Sequence, residues 1–220
     1  MMRRFAVIAA GTLLGGTLLA GCAGGPTLGA SAAGSPVPTI SPSASRRAVL
    51  PTEAPVSSEP PVPAESNPPG DIPDNTQFVP YHSTKGGWTV SVPEGWARST
   101  TGTTVTFTDK LNTVQVDAQA GTAVTVASVK KHDVPLLAAS TRAFKLIDVS
   151  PTSLPAGPAV LISYQANSDP NPVTGKQYRL DVLCYILFHN GVRTTLTLLS
   201  PVGADNIDPW RIVTQSLRLA

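Results

Sequence analysis

The sequence predicts an α+β domain in which helices pack on a central antiparallel sheet, preceded by a signal peptide and a disordered tether. Of the 22 prolines, 13 lie within residues 26–80, whereas 11 of the 12 aromatic residues lie within 78–220. In that last segment apolar and polar residues alternate over several short runs, which is the period of half-buried strands. We therefore divide the chain into a signal peptide (1–21), a lipidated tether (22–77) and one folded domain (78–220).

The signal peptide begins with a short positively charged region. Arg3 and Arg4 precede an uncharged run from Phe5 to Ala20. This run is shorter and richer in glycine than a membrane-spanning helix, which needs ~20 apolar residues. Its length and its flanks are typical of the apolar region of a secretory signal.

The run ends in Leu19-Ala20-Gly21-Cys22: a branched apolar residue, two small residues and a cysteine. It resembles the lipobox of bacterial lipoproteins, which implies cleavage between Gly21 and Cys22 and attachment of diacylglycerol and palmitate to Cys22. Two acyl chains suffice for a stable anchor, whereas one chain binds only reversibly. We expect the protein at the outer face of the cell membrane. The alternative is an ordinary signal peptide followed by a chance cysteine.

The predicted tether, residues 22–77, consists mainly of Ala, Gly, Ser, Thr and Pro and contains no aromatic residue. Such a composition buries too little apolar surface to offset the entropy of ordering. A coil of this length reaches about 40 Å, at ~5–6 Å × √n. The segment is thus expected to hold the domain away from the lipid surface; a proline-rich partner-binding motif is the alternative.

The first half of the domain alternates in three runs. Trp88–Val92, Thr104–Thr108 and Val114–Gln119 each place apolar residues on one face, and together they predict an antiparallel meander. A helix is expected over 124–140. Pro135 lies inside it and predicts a kink or two short helices, because proline removes a helical hydrogen bond.

The second half is expected to supply three or four more strands: a weak one over 144–149, then 160–164, a long one over 178–188, and a return strand over 194–198. Asn190-Gly191 predicts a two-residue hairpin between the last two, because both residues tolerate a positive φ. The hairpins make the predicted sheet antiparallel.

A final helix is predicted to open at Asp208 as the N-cap, followed by Pro209 at the first helical position. Trp210, Val213 and Leu217 then share one face and are expected to pack on the sheet. Trp88 is likewise expected in the core, and Cys184, between Val182 and Ile186, is expected to be a buried small hydrophobe.

These runs resemble the PsbP-type fold of photosystem extrinsic proteins and of actinobacterial envelope lipoproteins of the LpqN/LpqT kind. Gly87–Trp96 (GWTVSVPEGW) resembles the first strand and the following Pro and Gly/Trp corner, and Gly175–Tyr178 (GKQY) resembles the loop before a late strand. The resemblance implies a PsbP-like domain that docks on other proteins or on a ligand. The family shares no catalytic constellation, so it implies a non-enzymatic protein.

Catalytic and metal-binding motifs are lacking from the sequence. It has no G-x-S-x-G, no H-E-x-x-H and no Gly-rich phosphate loop, and a net charge of +2 gives no basis for nucleic-acid binding. His132-Asp133 is interpreted as solvated, and the Asp205–Asp208 cluster as helix capping rather than a cation site. We expect no catalytic residue, cofactor or metal.

The remaining candidate is an interaction surface. The segment Asn167–Lys176 is long for a hairpin loop, and loops carry many binding sites. We name Asn171, Lys176, Asp205 and Asn206 as its candidate residues.

The leading hypothesis is a membrane-anchored module that binds an envelope protein. The alternative is a carrier of a small apolar or lipid ligand between sheet and helices. A hydrolase would require Asp205, Asp208 and a histidine to converge in one cleft.

Overall fold

Two antiparallel sheets organise residues 56–67 and 69–220, the part of the chain that this computed structural model describes. The strands are β1 Phe78–Ser83, β2 Trp88–Pro93, β3 Ala97–Thr101, β4 Thr104–Asp109, β5 Asn112–Ala120, β6 Lys145–Leu154, β7 Gly157–Asn167, β8 Arg179–His189, β9 Val192–Pro201 and β10 Arg218–Leu219. The large sheet has the order β3-β4-β5-β9-β8-β7-β6, and the small sheet has the order β1-β2-β10. A sheet-dominated fold with few helices is compatible with the predicted α+β class.

The predicted interruption of the first helix is confirmed. The segment runs as α1 Val126–Ser128, a π-turn Val129–Asp133 and α2 Val134–Ser140. The backbone N–H of Val134 donates to the carbonyl of Val129, five residues back, immediately before Pro135. The wider turn ends where proline removes the next donor.

Alternation along β8 builds two apolar cores on opposite faces of the large sheet. One face carries Leu180, Val182, Cys184 and Ile186, which form a core with the helical segment above them. The other face carries Leu187, and the core there lies under the small sheet and α3, Ile207–Ser216. The second core includes Trp88, Val116, Leu196, Leu198, Trp210 and Val213.

The predicted three-strand meander is only partly correct. β4 and β5 form the expected hairpin, but β2 pairs with β1 and β10 in the small sheet. Between β2 and β4 the chain turns at Gly95 and adds the strand β3, which the sequence did not predict. All five residues of β3 are exposed at the sheet edge, so no apolar alternation marks it.

One further strand differs in detail from the prediction, and one predicted turn is confirmed. β6 is longer than expected and carries a bulge between Leu146 and Asp148. The bulge leaves Ile147 exposed at the edge of the large sheet. The Asn190-Gly191 hairpin is confirmed, with φ angles of 48° and 77°.

The predicted start of the last helix is wrong. α3 begins at Ile207 with Asn206 at the N-cap, so Asp208 and Pro209 lie inside the first turn. The Asn206 side chain makes no capping bond because it is used elsewhere in the fold. The predicted core face is confirmed, since Trp210 and Val213 are buried.

Part of the chain before residue 78, the predicted start of the domain, contacts the domain. Residues 59–65 and 70–72 lie against the domain, and Ile72 is buried in the second core. One buried isoleucine and several polar contacts make up this contact, and composition alone gave no sign of them. The signal peptide, Cys22 and the tether up to residue 55 lie outside the described residues.

Candidate functional site

The predicted interaction loop makes its own turn and contacts an upstream part of the chain. The Asn171 side-chain oxygen accepts the backbone N–H groups of Val173 and Thr174, at 2.9 and 3.0 Å. Lys176 places its ammonium 2.5 Å from a Glu65 carboxylate oxygen and 4.6 Å from the centre of the Tyr178 ring. Asn171 therefore shapes the loop, and Lys176 already has an acidic partner.

The other two predicted residues have different roles. Asp205 is exposed, and its backbone N–H donates to an Asp71 carboxylate oxygen at 3.0 Å. Asn206 is 2% exposed. Its side-chain oxygen accepts the Ile72 N–H at 2.8 Å, and its amide donates to the Gly70 carbonyl at 2.9 Å. Asn206 is thus buried among contacts within the fold, and it also lines a groove beside α3, so its place on an interaction surface stays a prediction.

An apolar groove lies beside Asn206, between α3 and the strands β6, β7 and β8. Its volume is about 270 Å³. Its walls include Ile147 and Ile207, which are 55% and 77% exposed. Its lining includes Ile147, Ser163, Asp181, Leu183, Asn206, Ile207 and Trp210.

The fold assembles this groove from features that sequence reasoning missed. The β6 bulge exposes Ile147, and the early start of α3 places Ile207 in its first turn. In the sequence, Ile207 stood out only as a member of the Asp205–Asp208 cluster, which was interpreted as helix capping. No periodicity marks Ile147, because a bulge is not visible in an apolar pattern.

A second cluster surrounds the carboxylate of Glu59. We call residues 59–67 the strap, because this segment lies across the loop after β7. One oxygen of Glu59 accepts Asn167 Nδ2 at 2.9 Å and Gln177 Nε2 at 2.6 Å, and the other accepts Arg142 Nη1 at 2.8 Å. These hydrogen bonds, Asn167's foremost, hold the pKa of Glu59 below its usual value against the opposing effect of burial.

Arg179 supports this cluster from below. Its Nη1 donates to the Ala143 carbonyl at 2.8 Å and to the Asn167 side-chain oxygen at 3.1 Å. Its Nη2 is buried and has no hydrogen-bond partner among the described residues. Burial lowers the pKa of Arg179, because desolvation disfavours its charge. The sequence did not indicate a site at Arg142 or Arg179, because each is an isolated arginine that belongs to no recognisable motif.

A cavity of about 340 Å³ lies beyond the end of α2. Its apolar lining comes from Ala166, Leu180, Val182 and Leu199. Its polar groups come from the chain after α2 and from the end of β7: Ser140, Thr141, Arg142, Asn167, Ser168 and Asp169. This is the space between sheet and helices in which the sequence analysis placed a small ligand. Its volume is at the lower end of the range for ligand sites, ~300–1,000 Å³.

A hydrolase would require Asp205, Asp208 and a histidine to meet in one cleft. No contact of this kind occurs among the described residues. Asp208 pairs with Arg211, and Asp133, the neighbour of His132, pairs with Arg193. No group of three His, Cys, Asp or Glu residues in the described segments could hold a metal ion. Cys184 is buried, as predicted, and burial raises the pKa of its thiol to about 11.

Within residues 56–67 and 69–220, no helix is long and apolar enough to cross a membrane.

No family model and no curated protein matches the sequence. Cyanobacterial PsbP (CyanoP) from Synechocystis sp. PCC 6803 is similar in structure, at 18% identity over 70% of this chain and 100% of its own, with a TM-score of 0.46. The Ran-binding protein Mog1p of Saccharomyces cerevisiae is 8% identical over 66% and 96%, with a TM-score of 0.44. LpqN of Mycobacterium tuberculosis, involved in cell envelope biogenesis, is 15% identical over 67% and 92%, with a TM-score of 0.41.

The chain spans 48% of a further similar structure, from Bacteroides thetaiotaomicron. LpqN and a PsbP protein, the kinds of protein that the sequence resembles, are thus among the similar structures. Likeness at these scores assigns neither a family nor an activity to this chain, so its function is argued from its own surface.

Proposed function

We propose that this protein is a lipoprotein of the cell envelope, anchored through Cys22 outside the cytoplasm, whose PsbP-like domain is a non-enzymatic docking module for another protein. The observation that carries the docking role is the apolar groove between α3 and the large sheet. Its two isoleucine walls, Ile147 and Ile207, are both more than half exposed. Contiguous exposed apolar surface of this kind marks interaction sites on soluble domains.

The groove combines apolar walls with a polar floor. Trp210 is buried and Leu183 is partly buried, and both contribute apolar surface, while Ser163 and Asp181 contribute polar groups to the lining. Asp181 also accepts a hydrogen bond of 3.0 Å from Gln165 Nε2, which fixes its carboxylate. The occupant that fits is a protein segment that inserts apolar side chains and donates a hydrogen bond to Asp181. Apolar anchors with few placed polar contacts are the usual arrangement of a binding hot spot.

Site-specific photo-crosslinking in living cells tests this role. A photoreactive residue replaces Ile207 in the full lipidated chain, and the matched control places it at Val173, an exposed aliphatic residue on the loop after β7. We expect a discrete protein adduct from position 207 that is lost when Ile147→Asp is added. An adduct from position 173 and none from position 207 would indicate that the partner binds the loop after β7, and it would overturn the groove assignment.

The non-enzymatic part of the proposal rests on the absence of a catalytic motif in the sequence. Turnover of ester or glycoside substrates by the purified protein, abolished by Asp205→Asn with Asp208→Asn, would overturn it.

A second candidate function, a carrier of a small apolar ligand, is favoured by the cavity beyond α2. Native mass spectrometry of the chain purified from its own cells distinguishes it. A co-purifying apolar mass that Leu180→Arg removes would support the carrier, whereas a clean apo mass would count against it.

A further inference from the structure

The carboxylate of Glu59 lies in a site built from three separate elements. Arg142 follows α2, Asn167 ends β7, and Gln177 lies in the loop before β8. Each donates one hydrogen bond, and together they engage both oxygens of the carboxylate. Three donors from distant points of the chain thus form a binding site for a carboxylate. Hydrogen bonds to an ionised carboxylate are stronger than those between neutral groups, so the site favours the charged form.

The same site also recognises main chain. Asn167 Nδ2 donates to the Pro60 carbonyl at 2.9 Å, and its side-chain oxygen accepts the Val62 N–H at 3.1 Å. A single amide side chain thus pairs with two backbone groups of an extended segment. Arg179 holds the Asn167 oxygen from below and fixes the orientation of the amide. Backbone recognition of this kind fits a peptide and does not require a particular side chain.

A second basic group extends the site. Lys176 pairs with Glu65, six residues after Glu59. Three prolines lie between these glutamates, and such a segment favours the extended polyproline helix. Arg142 and Lys176 contact the strap, and Arg179 lies beneath Asn167. Among the described residues, the exposed Asp169 pairs with Arg142, and Asp181 interacts with Arg179. The charge of the site is therefore complementary to an acidic segment.

The strap is held less firmly than the segment that follows it. Pro60, Pro61, Pro63 and Ala64 are exposed, and Val62 is only half-buried. The side chains of its two ion pairs, Arg142 with Glu59 and Lys176 with Glu65, are 21% to 51% exposed, and ion pairs in contact with water contribute only ~0–1 kcal/mol each. The strap is thus suited to local opening.

Gly70, by contrast, is fixed in the fold. It has a φ of +141° and lies against Pro201, where an added Cβ would come within 2.8 Å of the ring. Residues 70–72 therefore form a pivot that stays in place when the strap opens.

We propose that the surface under the strap is a binding site for an acidic, extended, proline-containing segment of another protein, and that the strap is its built-in competitor. This site is separate from the apolar groove. Because the competitor is tethered, its effective concentration is on the order of millimolar for a short flexible link. A partner segment therefore displaces the strap only when its affinity and concentration outweigh the effective concentration of the strap, or when the strap itself binds more weakly.

Peptide binding to the full chain tests the proposal. The probe is a fluorescent synthetic peptide with the sequence of residues 57–67 (SSEPPVPAESN), and binding is followed by anisotropy. The opened protein carries Glu59→Gln and Glu65→Gln, which weaken the strap without removing it. We expect at least a tenfold lower Kd for the opened protein than for the wild type. A peptide with glutamine at both positions should not bind.

Two further variants locate the site. Arg142→Ala in the opened protein should abolish binding, whereas Arg211→Ala, which removes an exposed arginine from α3, should leave the Kd unchanged. Circular dichroism and the Tm of each variant establish that it is folded.

Equal Kd values for wild-type and opened protein, or no binding to a folded opened protein, would overturn the proposal. Displacement of the probe by succinate as effectively as by unlabelled peptide would also overturn it, because the site would then recognise a free carboxylate only. Loss of the crosslink at position 207 would leave these measurements unaffected, so the two proposals fail separately.

Discussion

The side-chain oxygen of Asn206 accepts a hydrogen bond of 2.8 Å from the backbone N–H of Ile72, 134 residues earlier in the chain. The Asn206 amide also donates to the Gly70 carbonyl and to the Asn112 side chain. One buried amide therefore fastens the segment before β1 to the start of α3. The same bonds explain why Asn206 does not cap its own helix.

Asn206→Ala should lower the free energy of unfolding by about 2–4 kcal/mol, since each buried group left without a partner costs ~1–3 kcal/mol. Urea denaturation followed by tryptophan fluorescence measures this loss. The matched control is Asn171→Ala, which removes an exposed asparagine from a local turn and should cost less than about 1 kcal/mol. Equal losses for both variants would contradict the role of Asn206.

Acidification should release the strap. The pKa of Glu59 is lowered in the closed strap, chiefly by the hydrogen bond from Asn167. The ionised carboxylate therefore favours closure at a pH above the usual pKa of 4.5, and this contribution is lost as the pH falls through the lowered pKa. The NMR signal of the Val62 amide, which bonds Asn167, reports closure during a titration from pH 7 to pH 3.

The Glu59→Gln variant is the control for this titration, because Glu65 and Asp169 also carry carboxylates at the strap. Its Val62 signal should already lie at the open position at pH 7. A wild-type signal that stays unchanged down to pH 3 would show that Glu59 does not hold the strap.

The thiol of Cys184 should be inert in the folded protein. Burial raises its pKa to about 11, so the thiol stays protonated at pH 8 and is shielded from reagents. In a Cys22→Ala chain, Ellman's reagent should detect almost no thiol before denaturation and one thiol per chain after it. Rapid reaction of the native protein would mean that the core around β8 opens readily.

Membrane retention should depend on Cys22. Cys22→Ala removes the thiol that receives the lipid, so the protein should leave the membrane fraction and lose metabolic labelling with palmitate. A conservative comparison is Cys184→Ala, which removes the other cysteine and should retain both properties. Unchanged partitioning of the Cys22→Ala protein would reject the lipid anchor.

The strongest local patterns were sufficient to predict individual elements. β8 was recognisable because one of its faces is apolar from Leu180 to Phe188, and Asn190-Gly191 marked the hairpin by tolerating positive φ. β3 was missed because an exposed edge strand has no apolar face. The start of α3 was misplaced because Asp208-Pro209 is a good local start signal, whereas a long-range contact of Asn206 decides the position of the helix.

The candidate sites were much less predictable. Lys176 was identified from the length of its loop, but its partner Glu65 lay in a segment predicted to be disordered. Exposure of Ile147 depends on a bulge, and convergence on Glu59 depends on residues 83 to 118 positions away. Neither kind of information is present in a local pattern.

From the sequence by itself come three predicted segments: a signal segment over 1–21, a proline-rich stretch, and an alternating domain with 11 of the 12 aromatic residues. Composition and periodicity suffice for this, because they reflect how much apolar surface each segment can bury. Only the tertiary structure decided that residues 70–72 lie against the domain, which sheet β2 joins, and which polar residues meet. Those outcomes depend on contacts between residues far apart in sequence, such as Ile72 with Asn206, and such contacts leave no local trace.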